Sequence, residues 1–567
     1  MVKEFMTNTK PWIEHYDEGV PATIEYPRIP GYAILEQTAK KFPDRVCTIF
    51  KGAEITYKEM DELTDQLAAG LNECGVRKGD RVGLFIPNTP QFVMAFYGIM
   101  KAGGVVVATN PLYTQREIEY QVNDAGIEVM ILMTNNYEKV KEIQHKTKIR
   151  QLVVTNLKEA LPQPMKLLFT LLKEKKAGFR VQLRDNDVWM QDLIKKHKPE
   201  DRPQIDVTAD DTALFQYSGG TTGVSKGVVA AHYGIVANTY QIHAWNPNTR
   251  EGDEVVLMAI PMYHGYGMIV GLMYGTKIGA TFVMVPDPRD IKDVLENATK
   301  YKATVYPGVP AMYNAINNNP DVLAGKYDLS NIAYCISGSA PLMRETKLKF
   351  EEITGGKLAE GYGLSEAPIA SHSNPMVGEN KTGSIGMPFP DIDCKIIDLD
   401  DEVIELPPRQ IGELILKGPT VMKGYHNMPT ETANALRDGW LYTGDIAYMD
   451  EDGYFFIVDR KKELIKPGGF QVWPREVEEV ISAHPAVLEV GVGGIPDPNS
   501  GEAVKAWVVL KPGEQATVEE LIAWCKKDLA GYKVPKQIEF RNELPKTNVG
   551  KILRRELIKQ HKEKNQE

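Results

Sequence analysis

The clearest structural pattern in the chain is RVGLFIPNTPQFVMAFYGIMKAGGVVVATN, residues 81–110. The apolar run Arg81–Ile86 predicts a buried strand, because short apolar runs that end at proline or glycine are typical of strands covered on both faces. Apolar residues at helical spacing follow at Gln91–Lys101, and Gly104–Ala108 is a second apolar run. Strand, helix and strand in this order predict a parallel pair joined by a crossover helix.

The same alternation continues along the chain. Further strands are predicted at Val129–Met133, Gln151–Thr155, Val255–Ile260, Ala303–Tyr306, Ile332–Ser337, Tyr454–Val458, Leu488–Val492 and Ala503–Leu510. Further helices are predicted near Gln115–Ala125, from Pro474 to His484, and from Val518. The pattern indicates an α/β fold: a large N-terminal region of several subdomains with mostly parallel sheets flanked by helices, and a small α/β domain at the C-terminus.

A highly charged segment, Arg460–Glu463, follows the strand predicted at Tyr454–Val458. We place the domain boundary there, which predicts domains of residues 1–461 and 462–567. A chain of 567 residues is long enough for three or four globular units at roughly 150 residues each.

Composition narrows the classes of function. With 43% hydrophobic and 25% charged residues the chain has the balance of a soluble globular protein. A net charge of −10 predicts that nucleic acid is not a partner, because phosphate backbones need a basic surface. The five cysteines form no C-x-x-C pair, which argues against a disulfide framework or a zinc site. Together with an N-terminus that lacks a signal-peptide core, they predict a cytoplasmic protein.

Two segments raise the question of membrane contact. Residues 255–276 lack formal charge, but Pro261 and His264 leave a helical part of only about a dozen residues, short of the roughly 20 that span a bilayer. A buried strand, a turn and a packed glycine-rich helix are predicted instead. The second segment, Met165–Lys173 followed by Lys175 and Lys176, predicts a basic amphipathic helix. It is interpreted as a surface helix docked on the body, with contact to an anionic membrane as the alternative.

The strongest chemical signal is the loop from Tyr217 to Gly227. Its glycines, hydroxyls and lysine, after an apolar strand, predict a flexible loop that surrounds a polyphosphate. It is not a Walker A loop, because two residues separate Gly223 from Lys226. The candidate nucleotide-binding residues are Ser218, Gly220, Thr221, Thr222, Gly223 and Lys226.

This loop and five later segments resemble the adenylate-forming superfamily, which includes acyl-CoA synthetases, 4-coumarate:CoA ligases, firefly luciferases and peptide-synthetase adenylation domains. The resemblance spans essentially the whole chain, with the motifs in the family's order. The later segments are Ser337–Pro341, Glu360–Glu366, Trp440–Asp445, Asp459–Lys466 and Pro545–Lys551.

The resemblance implies an enzyme that binds ATP and Mg²⁺. It assigns Gly338 and Ser339 to the adenine side, with Glu360, Gly361, Tyr362 and Ser365 in the segment that follows. Asp445 would accept hydrogen bonds from the ribose hydroxyls, and Arg460 would reach a ribose or phosphate oxygen. Glu366 would ligate the Mg²⁺ that bridges the ATP phosphates, together with the Thr221 hydroxyl.

The resemblance also implies a second step with coenzyme A. Lys551 would be the principal catalytic residue of adenylation, because its charge offsets the repulsion between carboxylate and α-phosphate. The C-terminal domain would be mobile, with Lys462 as its hinge and Lys466 in the same cofactor-binding motif. Gly469 would line the pantetheine channel. His264 matches a position that contacts the entering carboxylate, and it or Met268 would gate the acyl tunnel.

The pattern looks closest to long-chain fatty acyl-CoA synthetases, so the predicted function is an ATP-dependent acyl-CoA ligase for medium- or long-chain fatty acids. Within the family, a fatty acyl-AMP ligase or an aryl-CoA ligase stays open. A non-catalytic lipid- or nucleotide-binding module is the alternative from another class. Homodimer formation and peripheral membrane contact are also left open.

Overall fold

The computed structural model describes residues 10–218, 225–498, 500–547 and 551–564. It divides the chain into two compact units. The large unit consists of residues 12–393 and 417–441, and the small unit contains residues 394–416 and the chain from residue 442 onward. The small unit therefore includes residues upstream of Lys462, and the hinge predicted there stays a prediction.

The strands, numbered in chain order, account for all sheets of the described residues. They are β1 (Val46–Phe50), β2 (Ala53–Thr56), β3 (Arg81–Phe85), β4 (Val105–Ala108), β5 (Val129–Met133), β6 (Gln151–Thr155), β7 (Val188–Trp189), β8 (Thr212–Ser218), β9 (Lys226–Ala231), β10 (Val255–Met258), β11 (Thr281–Met284), β12 (Tyr334–Ser337), β13 (Lys357–Tyr362), β14 (His372–Ser373), β15 (Met387–Pro388), β16 (Asp393–Ile397), β17 (Gly412–Lys417), β18 (Gly424–Tyr425), β19 (Leu436–Arg437), β20 (Trp440–Met449), β21 (Phe455–Arg460), β22 (Val487–Asp497), β23 (Gly501–Leu510) and β24 (Gln537–Phe540).

The α-helices, numbered in the same way, alternate with these strands. They are α1 (Ala33–Lys41), α2 (Tyr57–Glu73), α3 (Pro90–Lys101), α4 (Gln115–Ala125), α5 (Tyr137–Gln144), α6 (Gln163–Leu168), α7 (Met190–Lys196), α8 (His232–Trp245), α9 (Tyr274–Lys277), α10 (Ile291–Lys300), α11 (Pro310–Asn317), α12 (Pro320–Leu323), α13 (Arg344–Thr354), α14 (Pro429–Ala435), α15 (Pro474–Ser482), α16 (Val518–Asp528) and α17 (Arg554–Lys564).

The large unit is built around an eight-stranded sheet in the order β18-β9-β8-β4-β3-β5-β6-β7. The strands from β8 to β7 in this order pair in parallel, whereas β9 and β18 pair antiparallel at one edge. Two four-stranded sheets complete the unit, in the orders β10-β11-β1-β2 and β12-β13-β14-β15. The predicted α/β class with mostly parallel sheets is thus confirmed.

The opening segment, residues 81–110, folds as predicted. It forms β3, α3 and β4, and β3 and β4 pair in parallel, with Val82 opposite Val106. Every residue of α3 is buried, because its apolar side chains surround the helix on all sides. Lys101 at its end is buried as well and forms ion pairs with Asp61 and Asp65 at 2.6 and 2.7 Å.

One strand prediction is wrong. Ala303–Tyr306 is apolar and lies between strands, yet it forms no regular strand; Val305 makes isolated bridges to Val256 and Tyr334. Three of its four residues are buried and Val305 is half-buried, but the hydrogen bonds of the segment are divided between two neighbours: the Leu257 N–H donates to Val305 O, and the Tyr306 N–H donates to Tyr334 O. The apolar run therefore reflects the burial of this segment and not its membership of a sheet.

Residues 255–276 form a buried strand, a turn and a helix. The strand is β10, the turn contains His264, and the helix begins as a π-helix at Tyr266–Met273 and continues as α9. All residues from Tyr266 to Met273 are buried within the unit. Across the described parts of the chain, no helix combines the length and the apolar character needed to cross a membrane.

The small unit contains a three-stranded sheet, β22-β23-β24, covered by α15 and α16. Upstream, β16, β17 and β20 are neighbours in this order, and β21 pairs antiparallel with β20. The core beneath α15 includes Val477, Ile481, Val504 and Leu521. A small C-terminal α/β domain is therefore present, as the sequence predicts.

Candidate functional site

The predicted phosphate loop connects two antiparallel strands of the large sheet. Ser218 ends β8 and lies opposite Lys226, the first residue of β9. Because β8 runs parallel to β4, Ser218 stands at the carboxyl end of the parallel strands, where α/β proteins place their ligands. Residues 219–224 lie outside the described residues, so the roles of Gly220, Thr221, Thr222 and Gly223 stay predictions.

The Tyr425 side chain contacts both Lys226 and Glu366, the predicted metal ligand. The Lys226 Nζ lies 4.7 Å from the centre of the Tyr425 ring, and the Tyr425 hydroxyl donates a 2.8 Å hydrogen bond to Glu366 Oε1. Strand pairing produces this arrangement, because β18 pairs with β9 and sets Tyr425 opposite Val228. The backbone is tied to the same loop where Met422 N–H donates to Glu366 O at 2.8 Å. The structure thus brings two predicted site residues together.

Sequence reasoning missed Tyr425. The residue lies in a two-residue strand within a polar segment, Lys423–Pro429, where no apolar periodicity marks it. Gly424, the first residue of β18, has a positive φ of 143°, and a Cβ added there would lie 2.7 Å from the Thr432 side chain. A glycine followed by tyrosine is the only local signal, and it does not identify a partner 59 residues away.

The adenine-side residues follow two paired strands. β12 and β13 run in parallel with Ser337 opposite Glu360, so Gly338 and Ser339 leave the sheet beside Glu360. Ser339 has a left-handed φ of 67°. The buried Glu360 carboxylate accepts a 3.3 Å hydrogen bond from the Leu342 N–H, which ties the turn to β13. The turn and the strand that were predicted as separate motifs therefore form one structural piece.

The segment that leads to Glu366 is fixed by close backbone contacts. Gly361 and Tyr362 continue β13 and pair with β14, where the Tyr362 ring meets His372 edge to face at 5.6 Å. A Cβ added at Gly363 would lie 1.3 Å from the carbonyl oxygen of Ile369, so only glycine fits there. Ser365 then starts the turn that carries Glu366.

His264 lies in the turn between β10 and the π-helix. The Tyr266 N–H donates to its Nδ1 at 3.2 Å, and burial lowers the pKa of the imidazole to about 4. The ring is therefore neutral near pH 7 with its proton on Nε2, which is free of the Tyr266 bond and can donate. The Tyr266 hydroxyl donates to Ile336 O at 2.5 Å and its ring faces Gly338, so His264 and the adenine-side turn share a neighbour. Met268, the other gating candidate, is fully buried.

The ribose motif lies in the small unit. Asp445 on β20 pairs with Arg460 on β21, and Arg460 Nε lies 2.5 Å from Asp445 Oδ1. Gly444 before it has a φ of 71°, and the Asp445 N–H donates to the Thr443 hydroxyl at 3.0 Å. The Asp445 carboxylate is 3% exposed and Arg460 is 39% exposed, so the guanidinium is the solvent-facing partner.

Lys551 lies within the electrostatic reach of this pair. Burial, followed by the charge of Arg460, lowers the pKa of Lys551, whereas Asp445 and Glu463 oppose that change. The Thr547 N–H donates to Lys551 O at 2.7 Å, and the Lys551 N–H donates to the Thr547 hydroxyl at 3.1 Å. The predicted catalytic lysine and both residues of the predicted ribose motif therefore act on one another.

The three remaining predicted residues lie around two short turns. Lys462 is exposed in the 3₁₀ turn Lys461–Glu463, and Lys466 is exposed just before the turn Pro467–Gly469, which contains Gly469. The Lys466 N–H donates to Glu502 at 2.7 Å, and the Gly468 N–H donates to Ser500 O at 2.8 Å. These two bonds tie the second turn to residues 500–502 of the small unit and do not involve Asp445 or Arg460.

Comparison with known proteins gives a consistent result. The sequence models described as AMP-binding enzyme and AMP-binding enzyme C-terminal domain match residues 35–426 and 476–551. A long-chain-fatty-acid–CoA ligase of Bacillus subtilis strain 168 is 44% identical over 98% of this chain and 99% of its own. A long-chain-fatty-acid–CoA ligase of Escherichia coli O6:H1 is 38% identical, with 97% and 98% covered. The crystal structure of an anthranilate CoA ligase in complex with anthranoyl-AMP is similar, with a TM-score of 0.84 and 26% identity, over 95% of this chain and 98% of that one.

Proposed function

This chain belongs to the AMP-binding enzyme family and is an AMP-forming acyl-CoA ligase, and we propose that its substrates are medium- or long-chain fatty acids. The overall reaction joins a carboxylate to coenzyme A and converts ATP into AMP and pyrophosphate. The choice of acid is supported by two full-length relatives that are named for long-chain fatty acids. The observation that carries the catalytic proposal is the contact chain of Lys226, Tyr425 and Glu366 in the large unit.

Adenylation brings two anions together, because an acid carboxylate attacks the α-phosphate of ATP. The acyl–oxygen–phosphorus bond forms as the bond to pyrophosphate breaks. We assign the stabilisation of the developing negative charge to Lys226 and Lys551, since fixed cations near the transferring group are the main protein contribution to phosphoryl transfer. Asp445 and Arg460 are assigned to the ribose and to a nucleotide oxygen.

Mg²⁺ is proposed as the ion that accompanies ATP, with Glu366 as its protein ligand. In the described part of the chain, no cluster of three metal-ligating side chains occurs. A single carboxylate still suits Mg²⁺, because this ion keeps several waters and binds through one or two carboxylates plus substrate phosphates. Glu366 is only half-buried, and the Tyr425 hydroxyl orients its carboxylate. When bound, the ion would neutralise phosphate charge; Thr221, the other predicted ligand, stays a prediction.

His264 is assigned to the entering acid. A neutral ring whose Nδ1 accepts from Tyr266 presents Nε2–H as a donor, which suits a carboxylate oxygen. The buried apolar π-helix that follows it, with Met268, is proposed as a wall of the acyl site. In the second step coenzyme A supplies the thiol, and Lys462, Lys466 and Gly469 keep their predicted roles in the hinge and the pantetheine channel.

The experiment is pyrophosphate release with Mg-ATP across acids from acetate to oleate, plus a coumarate, with and without coenzyme A. Continuous release that requires coenzyme A, with acyl-CoA as product and a maximum at a medium or long chain, is the expected result. A stoichiometric burst of pyrophosphate that is the same with and without coenzyme A would instead identify an acyl-AMP ligase. A maximum with coumarate would identify an aryl-CoA ligase, and binding without pyrophosphate release a non-catalytic module.

A peripheral membrane contact is proposed for the segment α6 and the π-helical turn Phe169–Lys173. Five large apolar side chains are exposed there, namely Met165 (41%), Leu167 (61%), Leu168 (55%), Leu171 (70%) and Leu172 (68%). The end of this segment is anchored, since the buried Glu174 that follows Lys173 pairs with Lys158 at 2.6 Å. Lys173, Lys175 and Lys176 are exposed beside the leucines, so an apolar face with a basic edge suits an anionic lipid surface.

Co-sedimentation with vesicles tests this contact. Leu171→Ser with Leu172→Ser should abolish binding to vesicles that contain anionic lipid, whereas the control Leu348→Ser, at a single exposed leucine, should not. Equal binding by all variants would contradict the proposal. A change of oligomeric state in the double variant, with no vesicle binding by the parent protein, would indicate that the leucines form a homodimer interface. Homodimer formation and the cytoplasmic location stay predictions.

A further inference from the structure

Arg554, close to Lys551 in the chain, makes charged contacts with three carboxylates. It is the first residue of α17 and lies three residues after Lys551. Its Nε and Nη2 donate to the two oxygens of Glu478 at 2.8 and 2.5 Å, and its Nη1 donates to Asp459 at 2.7 Å and also to Glu463. One guanidinium therefore holds three carboxylates, in the two-pronged geometry that arginine provides and lysine does not.

The three carboxylates come from different elements of the small unit. Asp459 is on β21, one residue before Arg460; Glu463 is in the turn after Lys462; Glu478 is on α15. Their side chains are 2%, 22% and 14% exposed, and that of Arg554 is 16% exposed. Water therefore reaches the cluster poorly, and Arg554 is the cation that all three carboxylates share.

Asp459 also fixes the strand end that carries the ribose motif. Its Oδ1 accepts from the Arg460 N–H at 2.8 Å, and its Oδ2 accepts from the Arg475 N–H at 2.7 Å. The same carboxylate thus joins the backbone of Arg460 to the Arg554 guanidinium. Arg554, three residues after Lys551, is thus anchored on β21 at the residue next to Arg460, whose charge acts on the lysine.

We infer that Arg554 is a positioning residue for adenylation: it holds Lys551 opposite the Asp445–Arg460 pair by binding Asp459 across the hinge segment. This inference rests on the proposed function and on the predicted hinge at Lys462. Asp459 precedes Lys462, whereas Glu463, Glu478 and Arg554 follow it. Rotation of the chain after Lys462 breaks the bond from Arg554 to Asp459 and leaves its bonds to Glu463 and Glu478 intact. The network therefore distinguishes the arrangement for the first half-reaction from any rotated one.

The test separates the two half-reactions in the full-length enzyme. Adenylation is measured as single-turnover pyrophosphate release, and thioester formation is measured from supplied acyl-adenylate and coenzyme A. Arg554→Met and Asp459→Asn should each lower the adenylation rate by about 100-fold, the loss typical of a catalytic group displaced by about 1 Å. Thioester formation should stay within about twofold of the parent rate, and KM for ATP should change less than kcat.

The control is Lys505→Met, which removes another buried cation of the small unit. Lys505 on β23 is 6% exposed and pairs with Glu539 on β24 at 2.8 Å; its Nζ also lies 3.0 Å from His561 Nδ1 on α17, and Glu539 is not one of the carboxylates that Arg554 binds. It should lower the melting temperature and reduce both half-reactions alike or neither. Arg554→Lys should recover part of the adenylation rate, because a point charge can satisfy fewer of the three carboxylates.

Asp459→Asn provides a second test if Arg554→Met fails to fold, because the amide is isosteric with the carboxylate. Equal loss of both half-reactions in Asp459→Asn, or a fall in melting temperature with unchanged adenylation, would overturn the inference. If the parent enzyme forms no acyl-CoA from any acid, the proposed function fails instead, and that result is distinct from either outcome.

Discussion

Lys551 illustrates how a single residue can be tested by splitting a reaction. Lys551→Ala should reduce adenylation by about 100- to 1,000-fold, because it removes a cation that offsets the charge of the transferring phosphate. Thioester formation from supplied acyl-adenylate should be spared, since that step involves no attack on phosphate. Pyrophosphate release and acyl-CoA formation are the two measurements. Equal loss in both would show that Lys551 supports the structure instead.

The pH dependence of adenylation gives an independent test of Lys551. Burial and Arg460 lower its pKa from the ordinary 10.5, so the lysine loses its proton at a lower pH than an exposed lysine. The adenylation rate should therefore fall on the alkaline side with a midpoint below 10.5. In Lys551→Arg any remaining activity should lack this alkaline decline, because a guanidinium stays protonated. An unchanged alkaline limb in that variant would assign the titration to another group.

For His264 we expect the opposite behaviour: its ring should not titrate in the pH range of the assay. Its folded pKa of about 4 lies below the ordinary 6.5, so the ring stays neutral as the pH falls from 8 to about 5. The kcat/KM for the acid should therefore show no step near pH 6.5 that is due to His264. The pH profiles of the parent enzyme and of His264→Gln should have the same shape in that region. His264→Gln should raise KM for the acid, since the glutamine donor cannot match the ring position. A step near 6.5 that disappears in the variant would mean that the charged ring takes part.

At the level of elements, the edge strand β18 delivers Tyr425 to the site. Tyr425→Phe keeps the ring beside Lys226 and removes the hydroxyl bond to Glu366, which is worth about 1 kcal/mol. The expected effect is a rise of up to about 5-fold in KM for Mg-ATP, with a loss of folding stability of no more than about 1 kcal/mol. Tyr137→Phe is a matched control, because that hydroxyl also donates to a carboxylate, Asp187, at 2.7 Å in the same unit. Equal effects in both variants would remove the assignment of Tyr425 to the site.

Elements also show what sequence patterns can predict. Residues 81–110 were predictable because a mostly apolar helix between two apolar strands has few ways to be buried. Ala303–Tyr306 was predicted wrongly because an apolar run reports burial and not hydrogen-bond pairing. The site residues in ordered motifs could be proposed from resemblance. Tyr425 and Arg554 could not, since their roles arise from strand pairing and from carboxylates that are distant in sequence.

At the level of the whole molecule, the proposed mechanism uses two arrangements of Lys551. Adenylation would place Lys551 near the nucleotide, and thioester formation would leave room for the pantetheine arm. Lys462 lies at the second position of a 3₁₀ turn, where proline is tolerated because the first N–H groups of a helix make no bond within it. Lys462→Pro should therefore keep the observed turn and hinder rotation about it. Adenylation should be retained, and acyl-CoA formation should fall.

Combining Lys462→Pro with Arg554→Met tests how Arg554 acts. If Arg554 only stabilises the adenylation arrangement, a proline at position 462 that fixes this arrangement makes the Arg554 guanidinium unnecessary for adenylation. The double variant should then adenylate faster than Arg554→Met alone, and that difference measures the coupling between the two residues. Single-turnover pyrophosphate release from the four proteins of the cycle measures it. If the fold losses of the two single variants simply multiply in the double variant, Arg554 acts locally on Lys551. A fixed hinge cannot replace a local contact that is missing.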